Sequence, residues 1–378
     1  MQPTRPPLIH VLLIDGTFAS LADGRRSSIG RIHDLLRGHL GPAPDARLRL
    51  YYASGQQWNR WQTLPDLAMG RALEGRIVEA YGWLANGWRP GDLIFLFGYS
   101  RGAFALRSLA GMIARVGLLR PERATERNTR LAWRLYREGG AEGTLAAFRK
   151  RCHPRVPIRA ICCFDTVAAL GLRLPLLWMV TEPMFRFHDA KLVDGVENGF
   201  HALALDETRA AFAPLLWENA PDTGQVQQMW FRGAHSDIGG QLRGLEFARP
   251  LANIPLVWML DRAEQVGLPL APGWRRHFPC DPTAPGIGTW RQWGKAFLAR
   301  APRLVGANPD EALHPSVPRP YPGPALLTGH LADQALDRPR RRFRGRRIKP
   351  DPAPEPWLGD DVSLGDGIGT EGSQDAGR

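Results

Sequence analysis

The chain has 378 residues, of which 44% are hydrophobic and 23% charged, and it carries a net charge of +12 at pH 7. This composition supports a folded core and excludes a chain that is disordered throughout. Its four cysteines (Cys152, Cys162, Cys163 and Cys280) form no C-x-x-C pair, so neither a disulfide framework nor a zinc site is suggested.

Leu8 to Ile14 reads as a buried parallel strand that turns out through Asp15-Gly16-Thr17. The pattern then predicts a helix over 28–40, a short strand from Leu48 to Ala53, a loop carrying Trp58 and Trp61, and a helix from Leu73 to Trp88. After the Pro90-Gly91-Asp92 turn, the apolar run Leu93 to Phe97 feeds directly into Gly98-Tyr99-Ser100-Arg101-Gly102, with a helix predicted over 104–118. Two helices are expected within 121–151. Strands follow at Ile158 to Phe164, ending in Asp165-Thr166, and at Val226 to Phe231, ending in Gly233-Ala234-His235. Strands alternating with helices predict an α/β fold with a mainly parallel sheet and helices on both faces.

Between the last two strands an insertion is expected over about 166–224. Its apolar stretch Leu174 to Val180 reads first as a helix packed over the sheet, and also suits a lid or membrane-contacting loop. The catalytic domain is expected to span 1–305. A C-terminal extension over 306–350 carries an Arg-rich segment (338–349), and a Pro-, Gly- and acid-rich tail over 351–378 is expected to be disordered. No stretch reaches the roughly 18 apolar residues of a membrane-spanning helix, and the N-terminus lacks a signal-peptide pattern. Synthesis as a cytoplasmic chain is the expectation.

The chemistry centres on G-x-S-x-G between a strand and a helix, the layout of a nucleophile elbow with Ser100 exposed on a sharp turn. A serine hydroxyl needs a general base and an acid that orients it. The order Ser, Asp, His at successive strand ends offers Asp165 and His235 for these roles. Asp165 also reads as a helix N-cap, and Asp237, Asp189 and Asp206 are rival acids. His314, in His-Pro-Ser-Val, is either structural or an alternative base. The oxyanion donors expected are the Arg101 amide and an amide of Gly16 or Thr17, with Asp15 tying that loop down. This chemistry calls for no cofactor and no metal. In Leu13-Ile14-Asp15-Gly16-Thr17 leucine stands where D-x-D-G-T phosphatase chemistry needs its nucleophilic aspartate, and no P-loop is present.

The residues resemble a known family in six blocks. They are Ile14 to Thr17; Pro90 to Phe104 with Arg107 to Gly111; Phe164 to Val167 with Leu170-Gly171; His201 to Glu207 with Arg209 and Phe212; Trp230 to Gly240; and His314 to Val317 with Arg319. Together they resemble the uncharacterised-hydrolase family that supplies the catalytic domain of type VI secretion phospholipase effectors. The resemblance implies an α/β-hydrolase fold, nucleophilic Ser100, and esterase or phospholipase A activity. It also implies secretion-system delivery and immunity partners. The loop Ala53-Ser54-Gly55-Gln56-Gln57 departs from the Gly-Val-Gly-Thr-like loop often seen there. The Arg cluster and polar tail stand where long effector members carry a membrane-associated module.

The leading expectation is therefore a phospholipase- or lipase-type serine ester hydrolase, with a lipid or ester substrate and an anionic membrane surface suited to its positive charge. One alternative is a soluble-ester hydrolase without lipid preference. Another is a polyanion-binding protein using Arg338 to Lys349, though that segment reads first as a solvated tail. Nucleic acid is not the expected partner.

Overall fold

The computed structural model describes residues 5–41, 45–57, 71–167, 192–218, 225–291, 295 and 297–335. Seven strands form one sheet: β1 Ile9–Ile14, β2 Leu48–Ala53, β3 Leu93–Tyr99, β4 Ala160–Phe164, β5 Gly199–Ala204, β6 Val226–Phe231 and β8 Glu311–Leu313, in the order β2-β1-β3-β4-β5-β6-β8. Every neighbouring pair is parallel. β7 Leu304–Val305 and β9 Leu326–Leu327 pair separately, also in parallel. The helices are α1 Ser28–Leu36, α2 Arg71–Gly87, α3 Arg101–Val116, α4 Glu126–Glu138, α5 Glu142–Arg149, α6 His235–Ile238, α7 Arg249–Gln265 and α8 Gly329–Ala335.

The apolar runs of β1, β3 and β4 follow from their position. A central parallel strand is covered on both faces, so consecutive residues are all buried. Leu12, Ile14, Ile94, Leu96, Ile161 and Cys163 point to one face and join α2, α3, α4 and α5 in one core cluster. Helices α1 and α7 pack against each other and against the sheet without joining that cluster; they cover the opposite face, to which Val11, Leu13, Phe95 and Phe97 turn. Each such side chain contributes about 1.5–3 kcal/mol by leaving water.

The strand order reverses between β1 and β3, since β2 lies outside β1 while the chain continues outward from β3 through β4, β5 and β6. At such a switch point the loops leaving the two strands diverge and open a crevice at their C-terminal ends. The turns after β1 and β3 that carry Gly16-Thr17 and Ser100 are those loops.

Three expectations are corrected. The stretch 166–224 is not only an insertion, because β5 lies within it as a fully buried central strand. Its sequence Gly-Phe-His-Ala-Leu-Ala has no β-branched residue and a histidine in the middle, so it lacks the usual strand signal. The main sheet also continues beyond 305, where the short β8 pairs with β6. Helix α1 ends at Leu36 rather than near 40; the His39 amide instead folds back onto Asp34 O. Trp58, Trp61, Leu174 to Val180, Asp189 and everything from 336 onward lie outside the described residues.

Candidate active site

Ser100 joins β3 to α3 with φ 57° and ψ −124°, a backbone conformation that costs a non-glycine residue energy. Its amide donates to Phe164 O at 2.9 Å, pinning the turn to the end of β4. The flanking glycines make the turn possible. A Cβ on Gly98 would stand 2.6 Å from Ala103 N, and one on Gly102 would run into the carbonyl oxygens of Ile14 and Asp15. The neighbours of Gly102 are backbone atoms that cannot rotate away. Gly102→Ala is therefore expected to destabilise the fold by about 3 kcal/mol or to prevent folding, as read by urea denaturation. A stability within 0.5 kcal/mol of wild type would show that the close approach of α3 to β1 is not required.

The elbow brings Ser100 to His235 and His235 to Asp165. Ser100 Oγ lies 2.9 Å from His235 Nε2, and His235 Nδ1 lies 2.6 Å from Asp165 Oδ2. The three residues come from the turn after β3, the turn after β4 and the start of α6. They are 6%, 0% and 4% exposed, in the order Ser100, Asp165, His235. The His235 ring is held between aromatic groups, with the Tyr99 centroid 4.9 Å and the Phe212 centroid 4.8 Å away. Its amide donates to Glu207 Oε2 at 3.1 Å, and Tyr99 OH donates to its carbonyl at 3.3 Å. Tyr99 in turn fits between Gly16 and Gly239, whose missing side chains make room for the ring. Burial pulls the His235 pKa below 6.5 despite the opposing pull of Asp165, so the imidazole is neutral near pH 7.

Asp165 sits at φ 41°. Burial alone would raise its pKa, but the Arg303 guanidinium and the bonds from His235 and Arg303 outweigh it and hold the carboxyl well below its usual range. Oδ1 accepts from Ala204 N at 2.9 Å and from Arg303 Nη1 at 2.6 Å; Oδ2 accepts from Arg303 Nη2 at 2.9 Å as well as facing His235. The next residue is fixed by β5: His201 Nε2 accepts the Thr166 amide at 3.0 Å. Burial lowers the His201 pKa to about 3, so its ring is neutral and able to accept. This use explains a histidine in the centre of a strand.

The rival residues that are described, Asp237, Asp206 and His314, are engaged elsewhere. Asp237 accepts from Ala234 N at 2.9 Å and Ile287 N at 2.7 Å, tying the 284–288 loop to the turn before His235. Asp206 accepts from Gly233 N at 2.8 Å and Tyr321 OH at 2.6 Å. His314 stacks on Phe231 with centroids 4.6 Å apart, and its Nδ1 meets Ser316 Oγ at 2.8 Å; burial lowers its pKa to about 4. Among the described residues it is His235, not His314, that lies within hydrogen-bond distance of Ser100.

Asp15 accepts from Gly16 N at 2.8 Å, Ser27 Oγ at 2.5 Å and Tyr52 OH at 2.9 Å, and burial pushes its carboxyl up to about 6. It ties down the loop after β1. Because the Gly16 amide is committed to Asp15, Thr17 becomes the stronger oxyanion candidate from this loop, beside the Arg101 amide at the start of α3.

Sequence reasoning missed Arg303 as a site residue. It named Glu207, Arg209 and Phe212 only as part of a motif. Glu207 and Arg209 form a two-point ion pair (2.8 and 2.6 Å), and the Arg209 guanidinium lies 3.9 Å from the Phe212 ring centroid, so the motif builds the wall behind His235. Among the described residues no group of three or more His, Cys, Asp or Glu is arranged to hold a metal ion, and no helix is long and apolar enough to cross a membrane.

The chain is similar to several known proteins. The uncharacterized protein YEL023C of Saccharomyces cerevisiae is 33% identical over 172 residues, which cover 42% of this chain and 24% of the yeast protein. The crystal structure of an uncharacterized protein from Pseudomonas aeruginosa is similar at 18% identity and a TM-score of 0.39, over 73% of this chain and 49% of that one. A Tle1 effector bound to the VgrG spike from the type 6 secretion system is similar at 18% identity and a TM-score of 0.34, over 63% and 52%. The chain thus spans between a quarter and about half the length of these relatives. The family model for the catalytic domain of T6SS Tle1-like phospholipase effectors matches residues 9–262. The chain belongs to the family of Tle1-like phospholipase effector catalytic domains of type VI secretion.

Proposed function

We propose that this chain is a serine ester hydrolase of phospholipase type, with Ser100 as nucleophile, His235 as general base and then acid, and Asp165 as the group that orients the imidazole. The observation that carries the reading is the relay of 2.9 Å from Ser100 Oγ to His235 Nε2 and 2.6 Å from His235 Nδ1 to Asp165 Oδ2. Neutral Nε2 takes the hydroxyl proton as Oγ bonds to the acyl carbonyl carbon. The carbonyl electrons move onto oxygen, where the amides of Arg101 and Thr17 are the proposed donors. The imidazolium then protonates the leaving alcohol, leaving an acyl-Ser100 ester. Water, activated by His235, hydrolyses that ester and frees the acid. The family membership supports a glycerophospholipid as the ester, and the charge of +12 supports work at an anionic lipid surface. Delivery by a secretion spike and neutralisation by an immunity protein belong to the same proposal.

The test is labelling with a fluorophosphonate probe, followed by product analysis on phosphatidylglycerol vesicles and on a short-chain soluble ester. Wild-type protein is expected to be labelled at Ser100 and to release fatty acid from the vesicles. A folded protein that takes no label would overturn the serine mechanism. Cleavage of the soluble ester alone would overturn the lipid assignment.

The His235 pKa gives a pH prediction. Protonated His235 cannot accept the Ser100 proton, so kcat/KM is expected to fall on acidification with a midpoint below pH 6.5, the ordinary histidine value. A pH–rate profile with its acid midpoint above 6.5 would contradict the buried, neutral imidazole.

A further inference from the structure

The Asp165 carboxylate is gripped by an arginine as well as by the histidine. Arg303 stands one residue before β7, is 5% exposed, and lies beyond the family match at 9–262. Its Nη1 donates to Asp165 Oδ1 (2.6 Å) and Ala204 O (2.8 Å), and its Nη2 to Asp165 Oδ2 (2.9 Å) and Phe212 O (2.7 Å). One planar group therefore ties together the ends of β4 and β5 and the loop whose Phe212 ring stands against the His235 ring.

We propose that Arg303 is a positioning residue of the relay: it fixes the Asp165 carboxylate against His235 Nδ1 and offsets part of its charge, so that His235 serves as a neutral base further into acid pH. This rests on the proposed roles of Ser100, His235 and Asp165. A lone carboxylate beside an imidazole favours the imidazolium. A carboxylate already forked onto a guanidinium presents less net charge to the ring than a lone one, and the fork also fixes its plane. Of the other charged and titratable groups facing His235, Arg209 also favours the neutral ring and Glu207 opposes it. From β3 comes Tyr99, a neutral phenol. The turn after β5 brings Glu207 and Arg209, which pair with each other, and Asp206, which is bound by Gly233 N and Tyr321 OH. On its own helix Asp237 is taken up by backbone amides. The Asp165–Arg303 pair is the charged pair in direct contact with Nδ1, through the shared Asp165 Oδ2.

The test measures the rate of fluorophosphonate modification of Ser100 against pH in the full chain, for wild type, Arg303→Met and Arg303→Lys. Arg303→Met is expected to move the acid limb up by about one pH unit, because Asp165 is then uncompensated. Arg303→Lys keeps the charge and loses the fork. It is expected to leave the limb in place and lower the plateau rate by about tenfold. Arg303→Ala with millimolar guanidinium ion gives a second reading that does not depend on the folding of the Met variant, and the added ion is expected to bring the limb back toward wild type. A lower plateau with an unshifted acid limb in both Arg303→Met and Arg303→Ala would reduce Arg303 to a structural tie and overturn the proposal. Absence of label on folded wild type would instead overturn the triad itself, and this proposal with it.

Discussion

Ser100→Ala is expected to lower kcat for ester hydrolysis by about 10⁴-fold or more while leaving KM and the fold nearly unchanged. The substitution removes one hydroxyl, the group 2.9 Å from His235 Nε2, and leaves the backbone donors of the turn in place. What survives is the modest assistance of oxyanion binding. The same position allows a second measurement with the opposite sign. Ser100 holds φ 57°, where a Cβ is strained and glycine is not. Ser100→Gly is thus expected to be equally inactive yet about 1 kcal/mol more stable than Ser100→Ala by urea denaturation. Retained activity in the alanine variant would place the nucleophile elsewhere. A glycine variant less stable than the alanine variant would show that the turn is not strained at this residue.

The parts of the site legible in the sequence are those written locally. β3 and the helix after it announce themselves by an apolar run, G-x-S-x-G and small residues. Asp165 and His235 stand at the ends of β4 and β6, both strands with clear signals. β5 was not legible, since Gly199–Ala204 is a strand because of what surrounds it: a neutral His201 that accepts Thr166 N–H, and parallel neighbours on both sides. Arg303 left no trace either. It lies 138 residues from Asp165, and it is one of 49 basic residues in a chain where basic residues are commonplace. Only the fold makes that arginine different from the others. The choice between Asp165 and its rivals is open in the sequence for the same reason: the partners that hold Asp237 and Asp206, Ile287 and Tyr321, are distant along the chain.

Asp165→Asn is expected to damage both activity and stability, and to do so by separable routes. Four N–H groups converge on the two oxygens of Asp165: two from Arg303, one from Ala204 and one from His235. An asparagine offers one acceptor oxygen, and its amide hydrogens face donors. His235 then loses the acceptor that fixes its tautomer, so kcat is expected to fall by about 10³–10⁴-fold. Arg303 is left as a buried, uncompensated charge, and removing one partner of such a pair costs about 3–5 kcal/mol. The charge dependence has a definite sign. Asp165 has a folded pKa depressed below its ordinary 3.8, so it contributes stability at pH values above 3.8 that is lost as pH falls through the folded pKa. In the asparagine variant that acid-dependent loss is expected to shrink, because most of the stabilisation is already gone at pH 7. Adding Arg303→Met to Asp165→Asn removes the orphaned charge, and the double variant is expected to recover about 2 kcal/mol of the lost stability by denaturation without recovering activity. Additive losses in the double variant would mean that Asp165 and Arg303 do not stabilise the fold as a pair, whatever their separation in the structure.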